Sequence, residues 1–166
     1  MIRSLRHRLL AVGVATLAAH GACGMNVAPV LRLDEGVSLA LAEVRARTLS
    51  DIHYTYQLRV PRALGMPLVG TLVAQFQWID EEANDLVLDF KDPAARIGEV
   101  RVNGASVAWE ATHDHVVIPA EALTPGARNR VDVAFEAGDD ALNRNEEFLY
   151  TLFVPDRAHF SLPLFD

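Results

Sequence analysis

Residues Ile52–Val60, IHYTYQLRV, alternate apolar and polar side chains without a break. Ile52, Tyr54, Tyr56, Leu58 and Val60 fall on one phase, and His53, Thr55, Gln57 and Arg59 on the other. Successive side chains of an extended chain point to opposite faces, so this period of two predicts a strand with one face buried. Thr71–Trp78 repeats the pattern, with Leu72, Ala74, Phe76 and Trp78 set against Thr71, Gln75 and Gln77. Shorter strand-like runs follow at Leu86–Phe90, Val100–Val102, Val107–Trp109, His115–Ile118, Val131–Phe135 and Phe148–Val154. Asn103-Gly104 lies between two of them and marks a hairpin, because both central residues of a type I′ turn need positive φ. About eight strands separated by turn residues, with no strand–helix–strand rhythm, predict a mainly β, antiparallel sandwich or curled sheet. One short helix precedes them over Val37–Leu49, with Ser38 as its N-cap.

Composition sets the outer limits. The chain has 166 residues, 51% of them apolar, a net charge of −7 and one cysteine. That length holds one domain with a real core. An acidic balance argues against nucleic acid as a partner, since phosphates need a basic face. It also argues against an anionic membrane surface. A single cysteine, Cys23, excludes an internal disulfide and any cysteine-based zinc knuckle.

The first residues read as an address. Arg3, Arg6 and Arg8 precede the apolar run Leu9–Ala19, and the small residues Gly21, Ala22 and Gly24 follow. This is the layout of a secretory signal peptide over residues 1–23, and the apolar run is too short to span a bilayer. Cys23 leaves two outcomes open: lipidation, which would anchor the product to a membrane, or cleavage nearby and release of a soluble protein. Both place the protein outside the cytoplasm, in the periplasm or beyond. Residues 24–36 read as a tether to a β domain over 37–166.

Few residues point to chemistry. His113-Asp114-His115 is the one histidine cluster; on a strand its two imidazoles would share a face and could hold a metal, but a polar turn fits that position better. Asp139, Asp140, Asn143 and Asn145 match no calcium loop, and acidic turns are usually solvated. Trp78 and Trp109 could stack a sugar, yet Trp78 sits on the apolar phase of its strand and is expected in the core. No nucleophile elbow, phosphate-binding loop or dinucleotide fingerprint is present.

The last residues, 148–166, read FLYTLFVPDRAHFSLPLFD. Thr151, Pro155, Ala158, Pro163, Phe165 and Asp166 fall at the spacing of a segment that closes the N-terminal β domain of the M1 family of zinc aminopeptidases. Leu88-Asp89-Phe90, Val102-Asn103-Gly104 and the run Leu123–Asn129 stand in matching order. Over about residues 37–166 the chain resembles that aminopeptidase N-like domain.

The resemblance implies a saddle-like, non-catalytic β domain that packs on a thermolysin-like catalytic domain and shapes the peptide-substrate cleft. It implies zinc only in that other domain. The family's Gly-x-Met-Glu-Asn strand and His-Glu-x-x-His ligands are absent from this sequence, so the chain is expected to end before the catalytic domain and to be inactive alone. Peptide substrates would be met through the missing domain. Family positions lining the substrate side correspond to Leu152 and Val154. Both are aliphatic, so the usual side-chain contact to a peptide amine does not carry over. A plain buried strand there is favoured. Arg157, His159 and Phe165 are candidates for the domain interface. With its cover missing, a face bearing Phe148, Leu152, Val154, Phe160, Leu162 and Phe165 would be left open. The competing expectations are a free-standing exported β-sandwich that binds peptide or glycan, and an envelope lipoprotein.

Overall fold

The computed structural model of the chain describes residues 31–79, 84–140, 142–154 and 156–166. Residues 1–30, which include the expected signal peptide, Cys23 and the first part of the expected tether, lie outside the described residues, as do the acidic residues 80–82.

The fold is mainly β and antiparallel. A helix α1 (Leu39–Thr48) runs directly into β1 (Leu49–Arg59), and β2 (Leu68–Trp78) and β3 (Leu86–Asp89) follow. A single helical turn α2 (Pro93–Arg96) leads into β4 (Ile97–Val102), then β5 (Ala105–Ser106), β6 (Glu110–Thr112) and β7 (His115–Ile118). The long β8 (Ala127–Ala137), β9 (Leu142–Arg144) and β10 (Leu149–Thr151) complete the order. Strands β1-β2-β8-β4-β5 form one sheet, β3-β7-β6 a second, and β10-β9 a small ribbon. The two larger sheets share one apolar core, so the architecture is the expected sandwich.

The centre of the large sheet shows why. β2 and β8 pair over all eleven residues, from Leu68 opposite Ala137 to Trp78 opposite Ala127. Their inward phases are Leu68, Leu72, Ala74, Phe76 and Trp78 against Val131, Val133, Phe135 and Ala137, all buried. Gly70 faces Phe135 across the ladder, and a Cβ there would overlap the Phe135 ring and meet Leu58. Glycine is thus required by packing at this point, not by its backbone angles. Asn103 (φ 51°) and Gly104 (φ 89°) form the expected hairpin turn between β4 and β5.

Several boundaries differ from the sequence reading. α1 is shorter than Val37–Leu49, but Ser38 caps it as expected, its hydroxyl accepting from the Leu41 N–H at 3.1 Å. Ten strands are present among the described residues. β6 and β9 were hidden because three-residue strands carry too few positions to show a period. Val107–Trp109 is not a strand, and the hairpin partner is instead Ala105–Ser106. β1 is the edge of its sheet, and only the middle of its apolar face is covered. Tyr54 and Tyr56 are half-buried, whereas Ile52, Leu58 and Val60 stay exposed.

Candidate functional site

Two regions stand out beyond ordinary packing: a buried charged cluster and an open apolar margin.

The cluster is built on Asp89, at the end of β3. A carboxylate in an otherwise apolar strand must find partners, because burying an unpaired charge is prohibitively costly. Arg45 supplies a fork from α1. It shares the buried helix face with Leu41 and Thr48, and its two terminal nitrogens donate to the two Asp89 oxygens at 2.7 Å each. The same guanidinium donates to the carbonyl oxygens of Val87 at 2.9 Å and Asp166 at 3.1 Å. His115, which faces Asp89 across the β3–β7 pair, places Nδ1 at 2.7 Å from Asp89 Oδ1 and Nε2 at 2.9 Å from the Asp34 carbonyl oxygen. The Asp166 N–H donates to Asp89 Oδ2 at 3.1 Å. Burial by itself would raise the Asp89 pKa, but the hydrogen bonds from His115 and Arg45 outweigh it and hold the carboxyl below its ordinary value. Burial likewise works against a charged His115, yet its bonds to Asp89 and to Asp34 leave its pKa raised.

The same corner receives the last residues of the chain. Leu164 bridges to Asp89 through a pair of backbone hydrogen bonds, at 2.8 and 3.2 Å. The Phe165 N–H donates to the Tyr54 hydroxyl at 2.9 Å, and Tyr56 donates its hydroxyl to the Pro163 carbonyl at 2.7 Å. The Phe165 ring meets Phe76 edge-on at 5.6 Å and lies under the Arg45 guanidinium. The alternation in β1 thus has a specific use: two of its apolar-phase residues are tyrosines that grip residues 163–165.

The margin is different. Leu58 near the end of β1, and Val60, Leu64 and Met66 in the loop that follows, are exposed. So are Phe148, Leu149, Tyr150, Leu152 and Val154 on and after β10. Phe148 stacks on Tyr150 with centroids 6.0 Å apart. Leu152 is 52% exposed and Val154 67%, and neither lies in a strand. The buried strand favoured for them is therefore not formed: β10 stops at Thr151, and among the described residues nothing covers them. Isolated exposed apolar side chains are unremarkable, but a run of this kind marks a surface made to be covered.

The other anticipated residues are distributed between these regions. Arg157 is exposed, donates to the Asp140 carbonyl at 2.7 Å and lies over the Phe160 ring at 5.3 Å. His159 is buried, its Nδ1 3.5 Å from an Asp166 carboxylate oxygen and without a hydrogen bond. Phe165 is half-buried as described. Cys23 lies outside the described residues.

The metal and sugar readings do not survive. His113 sits in the turn of the β6–β7 hairpin with φ 51°, so His113 and His115 share no strand face. Both ring nitrogens of His115 are already engaged, and no group of three or more metal-binding side chains occurs among the described residues. These residues do not fit zinc. Trp78 is buried against Phe76, and Trp109 packs on the core, so the two tryptophans make no exposed platform.

Sequence reading missed the Arg45–Asp89–His115 cluster. Its signals were one acid inside the apolar run LVLDF and one arginine on the buried phase of α1.

Sandwich and margin together define an antiparallel β domain with an exposed apolar edge. No family model and no curated protein matches the sequence. Solved structures do. The M1 zinc metallopeptidase of Deinococcus radiodurans superposes with a TM-score of 0.57 at 24% identity, over 71% of this chain and 29% of that one. A mutant of that enzyme bound to a Tyr-Ser-Ala substrate gives 0.56 at 25% identity over the same shares. Yeast LTA4 hydrolase gives 0.60 at 14% identity, over 73% of this chain and 21% of that one. The chain thus has the fold of the N-terminal region of M1 zinc metallopeptidases, and it spans less than a third of the length of these relatives.

Proposed function

We propose that this chain serves as the non-catalytic N-terminal β domain of an exported M1-type zinc metallo-aminopeptidase. In this role it packs on a zinc-bearing catalytic domain and shapes the cleft that receives the peptide's amino end. The observation that carries the proposal is the pairing of an M1-type fold with an apolar margin at residues 148–154, left uncovered within the domain. Export follows from the leader-like residues 1–23, and the periplasm or the cell exterior is the working compartment. Leu152 and Val154 then meet the partner domain or the substrate side through apolar contact alone, since neither side chain can hydrogen-bond. Zinc belongs to the partner and no step of peptide hydrolysis is assigned to residues of this chain.

Two measurements test the proposal. Incubation of the purified chain with zinc and a panel of aminoacyl-anilides should give no hydrolysis; turnover that disappears with a chelator would refute the non-catalytic role. Sequencing of the gene beyond the Asp166 codon should reveal a Gly-x-Met-Glu-Asn strand followed by His-Glu-x-x-His. Unrelated sequence there would overturn the proposed partnership and leave a free-standing module.

A further inference from the structure

We infer that His115 is a buried imidazolium that fastens the segment before α1 to the sandwich, and that loss of its proton frees this segment while leaving residues 164–166 in place. The geometry of the ring carries the inference. Neutral imidazole has one N–H donor and one bare lone pair. Both nitrogens of His115 face acceptors, the Asp89 carboxylate at 2.7 Å and the Asp34 carbonyl at 2.9 Å. Neither acceptor has a proton to offer: the carbonyl has none, and Asp89 is held ionised by the two-pronged contact from Arg45. Only the doubly protonated ring satisfies both contacts. With the side chain 1% exposed, water does not reach the ring while the leading segment is in place.

The two bonds are unequal. A charged acceptor binds a donor more strongly than a neutral one, so a neutral His115 keeps its proton on Nδ1, towards Asp89. The Nε2 lone pair would then confront the Asp34 carbonyl oxygen at 2.9 Å, and an attraction becomes a repulsion. Among the described residues this is the one hydrogen bond that ties residues 31–37 to the sandwich. Residues 164–166 are held by other groups, namely Arg45, Tyr54 and the backbone and carboxylate of Asp89, none of which changes charge with His115, since the neutral ring keeps its Nδ1 proton on Asp89.

The surrounding charges set the range over which this happens. Asp89 of β3 favours the charged ring, and Arg45 of α1 opposes it. In the ring's own hairpin, Asp114 is paired with Lys91 at 3.0 Å. From the leading segment only the Asp34 carbonyl reaches the ring, and Asp166 addresses Asp89 and Arg45 through its backbone. The ring therefore stays charged above the ordinary histidine range, and the segment is released on the alkaline side of it.

The test uses the full chain. Side-chain nitrogen and carbon NMR shifts of His115 should report an imidazolium at pH 6.5 that converts at higher pH to a ring protonated on Nδ1. The backbone {1H}–15N heteronuclear NOE of residues 32–37 should fall to that of a mobile segment across that conversion, because these residues are held through the Asp34 carbonyl and not through their own N–H groups. Amide protection of residues 164–166, whose N–H groups are all bonded, should not change. In His115→Gln the leading segment should be mobile at every pH. A ring already neutral at pH 6.5, unchanged order at 32–37 across the conversion, or loss of order there together with loss of protection at 164–166, would overturn the inference. If the variant does not fold, the wild-type titration decides alone.

Discussion

The inner face of β2–β8 and the margin around β10 are both written in apolar residues, yet one is sealed and the other open. Leu72, Ala74, Phe76 and Val131 are inaccessible to solvent, while Phe148, Leu152 and Val154 are more than half exposed. Hydrophobicity does not separate them. Coverage does: the first group packs in the core shared with the β3-β7-β6 sheet, and the second flanks β10 of a two-stranded ribbon, with nothing laid across it among the described residues. The sealed region accounts for the stability of the domain, and the open one is where the proposed partner domain would sit. Substitutions should therefore be costly in the first and nearly silent in the second.

The largest effect is expected at Asp89. Asp89→Ala removes the shared acceptor of Arg45 and His115 and leaves a buried guanidinium unpaired. Such losses cost about 3–5 kcal/mol. Urea denaturation of the variant should show that drop, and a loss under 1 kcal/mol would mean that the cluster is solvated in solution. Gly70→Ala comes next. The added methyl would push on the Phe135 ring and on Leu58, and overpacking of this kind costs about 1–3 kcal/mol. The companion change Gly70→Ala with Phe135→Leu should recover part of the loss, because it removes the atoms that collide.

The two regions were also unequally legible in the sequence. Period-two alternation exposed β1 and β2 because each is eleven residues long, and the Asn103-Gly104 turn followed from the φ values that only such residues adopt cheaply. The resemblance at residues 148–166 marked the open margin at Phe148, Leu152 and Val154, but Phe160, Leu162 and Phe165, expected on the same open face, are half-buried, and the last two pack on the core. It did not show that β10 stops at Thr151, since Phe148–Val154 keeps an apolar character whether or not anything covers it. The cluster was illegible for another reason. Arg45, Asp89 and His115 are 26 or 44 positions apart at their hydrogen bonds, and no spacing rule links residues that only the folded sheet brings together. What the sequence did contain was a misfit, an acid within LVLDF, and a misfit of that kind predicts a partner without saying which.

A smaller effect is expected from pH. Asp89 has a lowered pKa, so its contribution to stability is present above the ordinary carboxylate value of about 3.9 and is lost as pH falls through its own lower value. His115 has a raised pKa, so its contribution is complete below the ordinary value of about 6.5 and is lost as pH rises through its own higher value. The cluster is then at full strength between these limits, and the urea midpoint should decline on the alkaline side. In His115→Gln the alkaline decline should vanish, with the acid limb retained. An identical pH profile in the variant would show that other groups govern the alkaline limb.

The smallest effect on stability, and the sharpest for function, concerns the margin. Replacing Leu152 and Val154 by serine removes two exposed side chains that support nothing within the domain, so unfolding free energy should move by no more than about 0.5 kcal/mol. Self-association should nevertheless fall, because the substitutions interrupt an apolar run open to solvent. Sedimentation of the wild type and the double variant at matched concentration measures this. Should the variant instead lose several kcal/mol, residues 152–154 would be covered in solution and the distinction between sealed and open regions would fail at its outer edge. A stable variant that no longer assembles with a catalytic domain supplied separately would place the margin at the junction. Unaltered assembly would move that junction elsewhere, towards Arg157, whose exposed guanidinium already stacks on Phe160 at the rim.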